Sequence, residues 1–415
     1  MSARRTLPWP LVALFTAGYL APYLLPTTVG RLAAGLPLTA TQAGAVGSAL
    51  LLGSASAGFL LASRVDRAGA RHAARAGLAL AVLGYGGAAL TDAVPAVVAG
   101  AVLGGAGSGT VTAVAVSGIA AQRDPHRVTT LGLLGVSALA GALCLAVPHL
   151  GPGHAQPLAA LALTALAVWP LTGRLPGRLP GHATGDRPAP APGGRRRRSA
   201  ARPPHLRRGL VLAATMPCWS LAQNALWGMS GRIGLVQAHL SESTVGAVFA
   251  VALGAGLLGV TGAGALGPRF GRALPIGAGT ALIAGCVALS ASATGLASFA
   301  AGEIAWNLLY PVVLSYLIGL AASLDPHGRW AVLVGSASSL GTAAGPLAGS
   351  LLAAWAGFPV MGAVLAAGLL LIAAPVTAVA LRAGRGTPAV VEIPVDSPAV
   401  PARGAYDTAA AIQAP

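Results

Sequence analysis

Glu303 sits within an uninterrupted apolar run, residues 297–321. Trp306, Asn307 and Tyr310 follow it at i+3, i+4 and i+7, on one helical face, and Pro311 offers a kink. An ionised carboxylate in a bilayer costs on the order of several kcal/mol unless it is paired or wetted. A group under that pressure can take a proton from one side and give it up on the other. It can also hold a cationic substrate, aided by aromatic rings that make cation–π contacts. The alternative is a neutral, hydrogen-bonded carboxyl that fixes a helix contact. The other acids sit at the ends of apolar runs or between them, so Glu303 stands as the proton-coupling or cation-binding candidate.

Two further runs carry a polar or aromatic face. Tyr19, Pro22, Tyr23, Pro26 and Thr27 share one; Ser220, Gln223, Asn224 and Trp227 share another. A fourth run, 96–119, is blander, with Ser108 and Thr112 its nearest equivalents. Tyr19, Tyr23, Ser108, Thr112, Trp219, Gln223, Asn224, Trp227, Trp306, Asn307 and Tyr310 are therefore the candidates to line a substrate cavity.

Other chemistries lack their residues. All 26 basic residues are Arg, which leaves no P-loop or Schiff-base lysine. Cys144, Cys218 and Cys286 are far apart in apolar runs, without metal or redox spacing, so no metal and no cofactor are expected. His72, His126, His149 and His154 read as loop residues. No HExxH and no nucleophile–base arrangement marks an intramembrane enzyme, so the chain is not expected to be one.

The elements that must position these residues are membrane helices. Of the 415 residues, 55% are hydrophobic and only 9% charged, with mean hydropathy +0.73. A soluble domain carries roughly 25% charged residues. A membrane helix needs about 20 mostly apolar residues. About twelve such runs are present: 9–29, 42–63, 74–92, 96–119, 128–148, 157–173, 209–229, 244–266, 275–295, 297–321, 330–354 and 357–381. The basic N-terminus and first run resemble a signal sequence, but the prolines and the similar runs that follow favour an uncleaved first span. This divides the chain into an N-terminal bundle (1–173), an Arg- and Pro-rich linker (174–208), a C-terminal bundle (209–382) and a Pro- and Ala-rich disordered tail (383–415).

The Arg residues set the direction. With the N-terminus in the cytoplasm and alternating spans, only Arg31 and Arg232 of the 26 fall outside. This is the positive-inside pattern, and the reverse topology inverts it. Both termini are then cytoplasmic. The Arg195–Arg198 run reads as an orientation-setting loop rather than a nucleic-acid patch.

The halves repeat each other. Gly30-Arg31 matches Gly231-Arg232, and Gly44-Ala45-Val46 matches Gly246-Ala247-Val248, at an offset near 202. Such a parallel repeat implies a pseudo-twofold axis along the membrane normal, with a site near the midplane between the halves. Arg31 and Arg232, related by it, read as a pair capping the outer ends of spans one and seven. Gly44, Gly47, Gly53, Gly58 and Gly341, Gly345, Gly349 allow close helix approach in spans two and eleven.

After span two, Ala62-Ser63-Arg64-Val65-Asp66-Arg67-Ala68-Gly69-Ala70-Arg71 resembles the cytoplasmic signature of the major facilitator superfamily, with Asp66, Arg67, Gly69 and Arg71 matching. Ala62 replaces the leading Gly. The second-half copy keeps Arg269, Gly271 and Arg272 but has Pro268 in place of the acid. The resemblance covers residues 9–381. It implies an all-α integral membrane fold of two six-helix bundles related by pseudo-twofold symmetry. It also implies that spans one, four, seven and ten line the cavity, and that the signature residues form a cytoplasmic gate. Two elements of the family's antiporter pattern are absent. Ala101 stands where many members have a buried Arg, and span five has Gly132, Gly135 and Gly141 without the Pro.

The expected function is secondary active transport of a small organic compound by alternating access. The weakly polar, aromatic faces favour proton-coupled efflux of a hydrophobic or amphiphilic metabolite or drug; an uptake permease or uniporter for a sugar or organic acid is the alternative. The expected partners are the substrate, protons and the bilayer, without nucleic acid, and the expected state is a monomer in the plasma membrane.

Overall fold

The computed structural model describes residues 8–62, 69–122, 124–175, 204–267, 269–325 and 329–384. Among these residues the secondary structure is helical, with no strand. The first span is two helices, α1 (Trp9–Tyr23) and α2 (Leu25–Gly35), bent by 50°. Pro26 has no N–H for the carbonyl of Pro22, four residues earlier, and its ring crowds that carbonyl. The bend is the relief of that conflict.

The first half continues through α3 (Ala40–Ala62), α4 (Ala70–Ala89), α5 (Val94–Ala120), α6 (Pro125–Ala146) and α7 (Ala155–Val168). The second comprises α8 (Leu206–Arg232), α9 (Glu242–Leu266), α10 (Ala273–Ala291), α11 (Leu296–Ser323) and α12 (Arg329–Gly384). The α12 run of 56 residues breaks at Gly357, whose φ of 80° is a left-handed conformation that favours glycine. Its first arm packs on α8 through Gly341, Gly345 and Gly349. Its second arm packs on α10, with Gly277 against Thr377 and Gly362 against Ala291. The chain therefore turns back at Gly357, and the helices make twelve passes.

Among the described residues, eight helices are individually long and apolar enough to cross a membrane, or nine with the bent α1–α2 pair as one span. The difference from twelve has a physical cause. Two passes share α12. Arg71, His72 and Arg75 open α4, while Arg207, Arg208, Gln223, Asn224 and Arg232 dilute α8. The protein is a multi-pass membrane protein.

Each half packs mainly on itself: α4 on α5 and α7, α3 on α5, α9 on α11, α10 on α11 and α12, and α8 on α12. The halves meet where α2 touches α8, α3 touches α12 and α6 touches α9. These contacts gather at the end where residues 36–39, 150–154 and 238–241 connect the helices, which is the Arg-poor end. There Gly246 lies against the Cys144 carbonyl and Gly44 against Ser350, so closely that a Cβ at either glycine would collide. Ser48 Oγ also accepts the Leu347 N–H at 2.9 Å. The molecule is shut between its halves at this end.

At the opposite, Arg-rich end, Asp66 and Arg67 of the expected gate motif lie outside the described residues. Gly69 has φ of 79° and Gly271 φ of 64°, so each glycine of the motif makes a left-handed turn into the next helix. Arg71 donates to the carbonyls of Gly173 (3.0 Å) and Leu175 (2.7 Å), within its own half. Arg272 likewise donates to Ser323 Oγ at 2.6 Å, and Arg269 is exposed.

Candidate functional site

Helices α8 and α11 run antiparallel, and large side chains fill the space between them as a ladder. Trp219 stacks on Tyr310 with ring centroids 5.3 Å apart. One turn on, Gln223 Oε1 accepts the Trp306 indole N–H. Nearer the Arg-poor end, Ser230 Oγ donates to Glu303 Oε1 at 2.7 Å. Trp306 also lies 5.6 Å from Tyr310 and 5.6 Å from Trp227, and Phe249 of α9 meets Trp227 edge-on.

The ladder reaches the first half at one hydrogen bond. Trp227 Nε1 donates to the Pro22 carbonyl at 2.9 Å. That is the carbonyl that Pro26 leaves without its helical donor. Tyr19 and Tyr23 of α1 are partly buried against the same apolar core as Tyr310. Tyr19 stacks on Phe15 of its own helix, centroids 4.4 Å apart.

Glu303 is fully buried. Its Oε1 accepts from Ser230 and from Ser290 Oγ of α10 at 2.5 Å, while Oε2 has no partner among the described residues. Those neighbours all belong to the second half. The carboxyl therefore points into its own bundle, behind the seam between the halves. Its link to the seam is indirect: Ser230 precedes Gly231, against which the Pro26 carbonyl packs.

The expected faces divide. On α8, Trp219, Gln223 and Ser230 look toward α11, but Ser220 bonds Ser338 Oγ at 2.6 Å and Asn224 donates to Thr342 Oγ1 at 3.3 Å, both toward α12. Asn307 donates to the Glu303 backbone carbonyl at 3.0 Å, a local bond. Ser108 is buried against the Tyr85 hydroxyl of α4 at 3.1 Å. Thr112 packs against Gly18 of α1. The structure thus brings together Trp219, Gln223, Trp227, Trp306 and Tyr310, keeps Tyr19 against Phe15 on α1, and turns Ser108, Asn224 and Asn307 to other neighbours. Among the described residues no group of three or more His, Cys, Asp or Glu is gathered for a metal.

Sequence reasoning missed Ser230 and Ser290. Ser230 lies at i+7 from Gln223 and was readable on that stripe; Ser290, on another helix, left no local signal. Glu242 was also missed. It opens α9 next to the N-cap Ser241, whose Oγ accepts the Thr244 N–H at 3.2 Å. Its Oε2 lies 2.7 Å from Arg31 Nη2, joining the halves at the Arg-poor end. Arg31 donates as well to the carbonyls of Gly151 (2.7 Å) and Val147 (3.2 Å). Between the halves there, Thr27, Arg31, Cys144, Glu242 and Phe249 line a small cleft.

No family model and no curated protein matches the sequence. Solved structures do match the shape. The human organic anion transporter TETRAN is 18% identical with a TM-score of 0.62, over 91% of this chain and 100% of that one. A bacterial homologue of the human lysosomal transporter Spinster, inward-facing and unoccupied, is 15% identical with a TM-score of 0.65, over 92% and 96%. A peptide transporter in complex with sulfate is 14% identical with a TM-score of 0.69, over 92% and 96%.

The fold is that of the major facilitator superfamily. In the major facilitator arrangement the α1–α2 pair and α8 are equivalent first spans of the two halves. Their Arg31 and Arg232 are then equivalent too, but they are held differently. Arg232 lies over the Phe358 ring, 5.8 Å from its centroid. The counterpart of Glu242 at the repeat offset is Ala40, which carries no charge. Only one of the two arginines can make the cross-half ion pair.

Proposed function

We propose that this chain is a secondary transporter of a small organic compound, working by alternating access between its two bundles. One observation carries this reading: the halves are closed on each other at the Arg-poor end by side-chain contacts and bare glycine approaches, with a helix-lined aromatic cluster beneath. Contacts of that kind separate and re-form when two rigid bundles rock. The Arg-rich end is the cytoplasmic one, by the positive-inside pattern, so the shut end faces out and both termini lie on the cytoplasmic side of the plasma membrane.

Within this reading the cargo is hydrophobic or amphiphilic, since the cluster offers four aromatic side chains and few polar ones. The transport is efflux coupled to protons. Glu303 takes the coupling role through Ser230, whose helix end carries the Gly231–Pro26 contact. The test is transport in vesicles of known orientation, native chain against Glu303→Gln. A substrate flux that runs with the proton gradient in the native chain, and loses its pH dependence in the variant, supports the coupling. Unchanged pH dependence overturns it, and no movement of any compound in a broad panel overturns the transporter reading.

A further inference from the structure

Four residues at the centre of the α8–α11 ladder form a closed set. Trp219 stacks on Tyr310, Tyr310 leans on Trp306, Trp306 donates to Gln223, and Gln223 is one helical turn from Trp219. Trp219 is 3% exposed and Gln223 fully buried, yet Trp219 Nε1 and Gln223 Nε2 have no hydrogen-bond partner among the described residues. The assignment of Gln223 is forced by chemistry. An indole N–H can only donate, so the amide must offer its oxygen to Trp306, and its NH₂ group is left over. Both unpartnered groups are therefore donors, one turn apart, on the same face.

A buried donor without an acceptor costs about 1–3 kcal/mol. Two of them among stacked rings ask for an acceptor that arrives with a planar molecule. The described Arg residues all lie toward helix ends, so no cation among them stands beside the set to balance an anion. The one buried acid nearby, Glu303, holds Ser230 and Ser290 through Oε1, and neither unpartnered donor of the set is bonded to it.

We propose that the cargo class is an uncharged planar aromatic compound bearing a carbonyl-type acceptor, held by stacking in this set and by hydrogen bonds from Trp219 Nε1 and Gln223 Nε2. This rests on the transporter reading above and narrows it. Neutral aromatic ketones fit; organic anions and sugars do not.

The probe pair is xanthone and xanthene, which differ by a C=O against a CH₂. Equilibrium binding to the purified full chain in detergent is measured by titration calorimetry. Xanthone should bind about tenfold more tightly than xanthene, the worth of a shared acceptor. Trp219→Phe and Gln223→Met should each remove most of that advantage, read as the xanthone-to-xanthene affinity ratio within each variant. Asn224→Ser, on the other face of α8, should keep it. Equal binding of the two probes to the native chain overturns the proposal without any variant having to fold. So does an advantage that survives in both Trp219→Phe and Gln223→Met, which would assign the donors to water. Transport is read separately, as movement of labelled xanthone in proteoliposomes. Preferential binding without movement upholds the site and sinks the transporter reading. Movement of other compounds with no xanthone preference sinks the site alone.

Discussion

Arg31 in the first half and Glu242 in the second are 2.7 Å apart across the seam at the shut end. The Arg31 side chain is 7% exposed and that of Glu242 44%. A pair this wet on one side is worth roughly 0.5–1 kcal/mol, screened by salt. Its removal should shift a balanced two-state equilibrium a few-fold, not abolish the closed form. Cys144 reports on this. It is 1% exposed and lines the same cleft. With Cys218 and Cys286 replaced, Glu242→Gln should raise its labelling by a membrane-impermeant thiol reagent two- to fivefold. Arg31→Gln should do more, because Arg31 also holds the Val147 and Gly151 carbonyls. Identical labelling in native and both variants would show that the pair does not hold the seam.

Gly246 offers a harsher perturbation of the same closure. Its Cα lies against the Cys144 carbonyl, and a side chain there meets backbone, which cannot swing aside. Gly246→Val should keep its fold, since the neighbouring face of α9 is ordinary helix, but should not shut. The expected outcome is near-complete loss of transport with a helical circular dichroism spectrum close to native. Cys144 should label at least tenfold faster. Full transport by this variant would refute the close approach as a step in the cycle.

Much of the architecture was legible in the sequence. Twelve apolar runs, an Arg asymmetry and a repeat offset near 202 are strong because membranes impose length, apolarity and sidedness on each pass separately. The bend in the first span was written in Pro22 and Pro26. The site was only half legible. Successive residues on a helix differ by about 100°, so Trp219, Ser220, Gln223 and Asn224 look like one broad face in one dimension. Two neighbours, α11 and α12, divide that face between them. Glu303 stands out in the sequence because a buried acid is rare, but its direction depends on Ser290 in α10, a contact no local pattern encodes. The Arg31–Glu242 pair hid for the same reason.

Trp227 and Pro26 should be coupled through a carbonyl neither owns. Trp227 Nε1 donates to Pro22 O, which Pro26 has stripped of its helical partner. Trp227→Phe should therefore destabilise the chain by about 1 kcal/mol beyond any packing loss. A Pro26→Ala background restores a backbone N–H four residues after that carbonyl, and the Trp227→Phe cost should fall. A double-mutant cycle on thermal unfolding in detergent measures the coupling, expected near 0.5–1 kcal/mol. Additive costs would mean the bond contributes nothing to joining the halves.

Glu303, Ser230 and Ser290 separate a coupling role from a structural one. Both serines donate to the same carboxyl oxygen, so Ser230→Ala and Ser290→Ala each remove one donor from a buried acid and should cost about 1–3 kcal/mol of stability. If Glu303 served only to hold helices, the two variants would behave alike in transport once corrected for folded protein. The coupling reading expects a difference. Ser230 lies on α8, one residue before the Gly231–Pro26 seam contact, whereas Ser290 lies on α10, away from the seam. Ser230→Ala should change the pH dependence of transport, and Ser290→Ala should change stability with the pH profile preserved. A flat pH profile in Glu303→Gln, together with an altered one in Ser230→Ala alone, would place the path from proton to seam along α8.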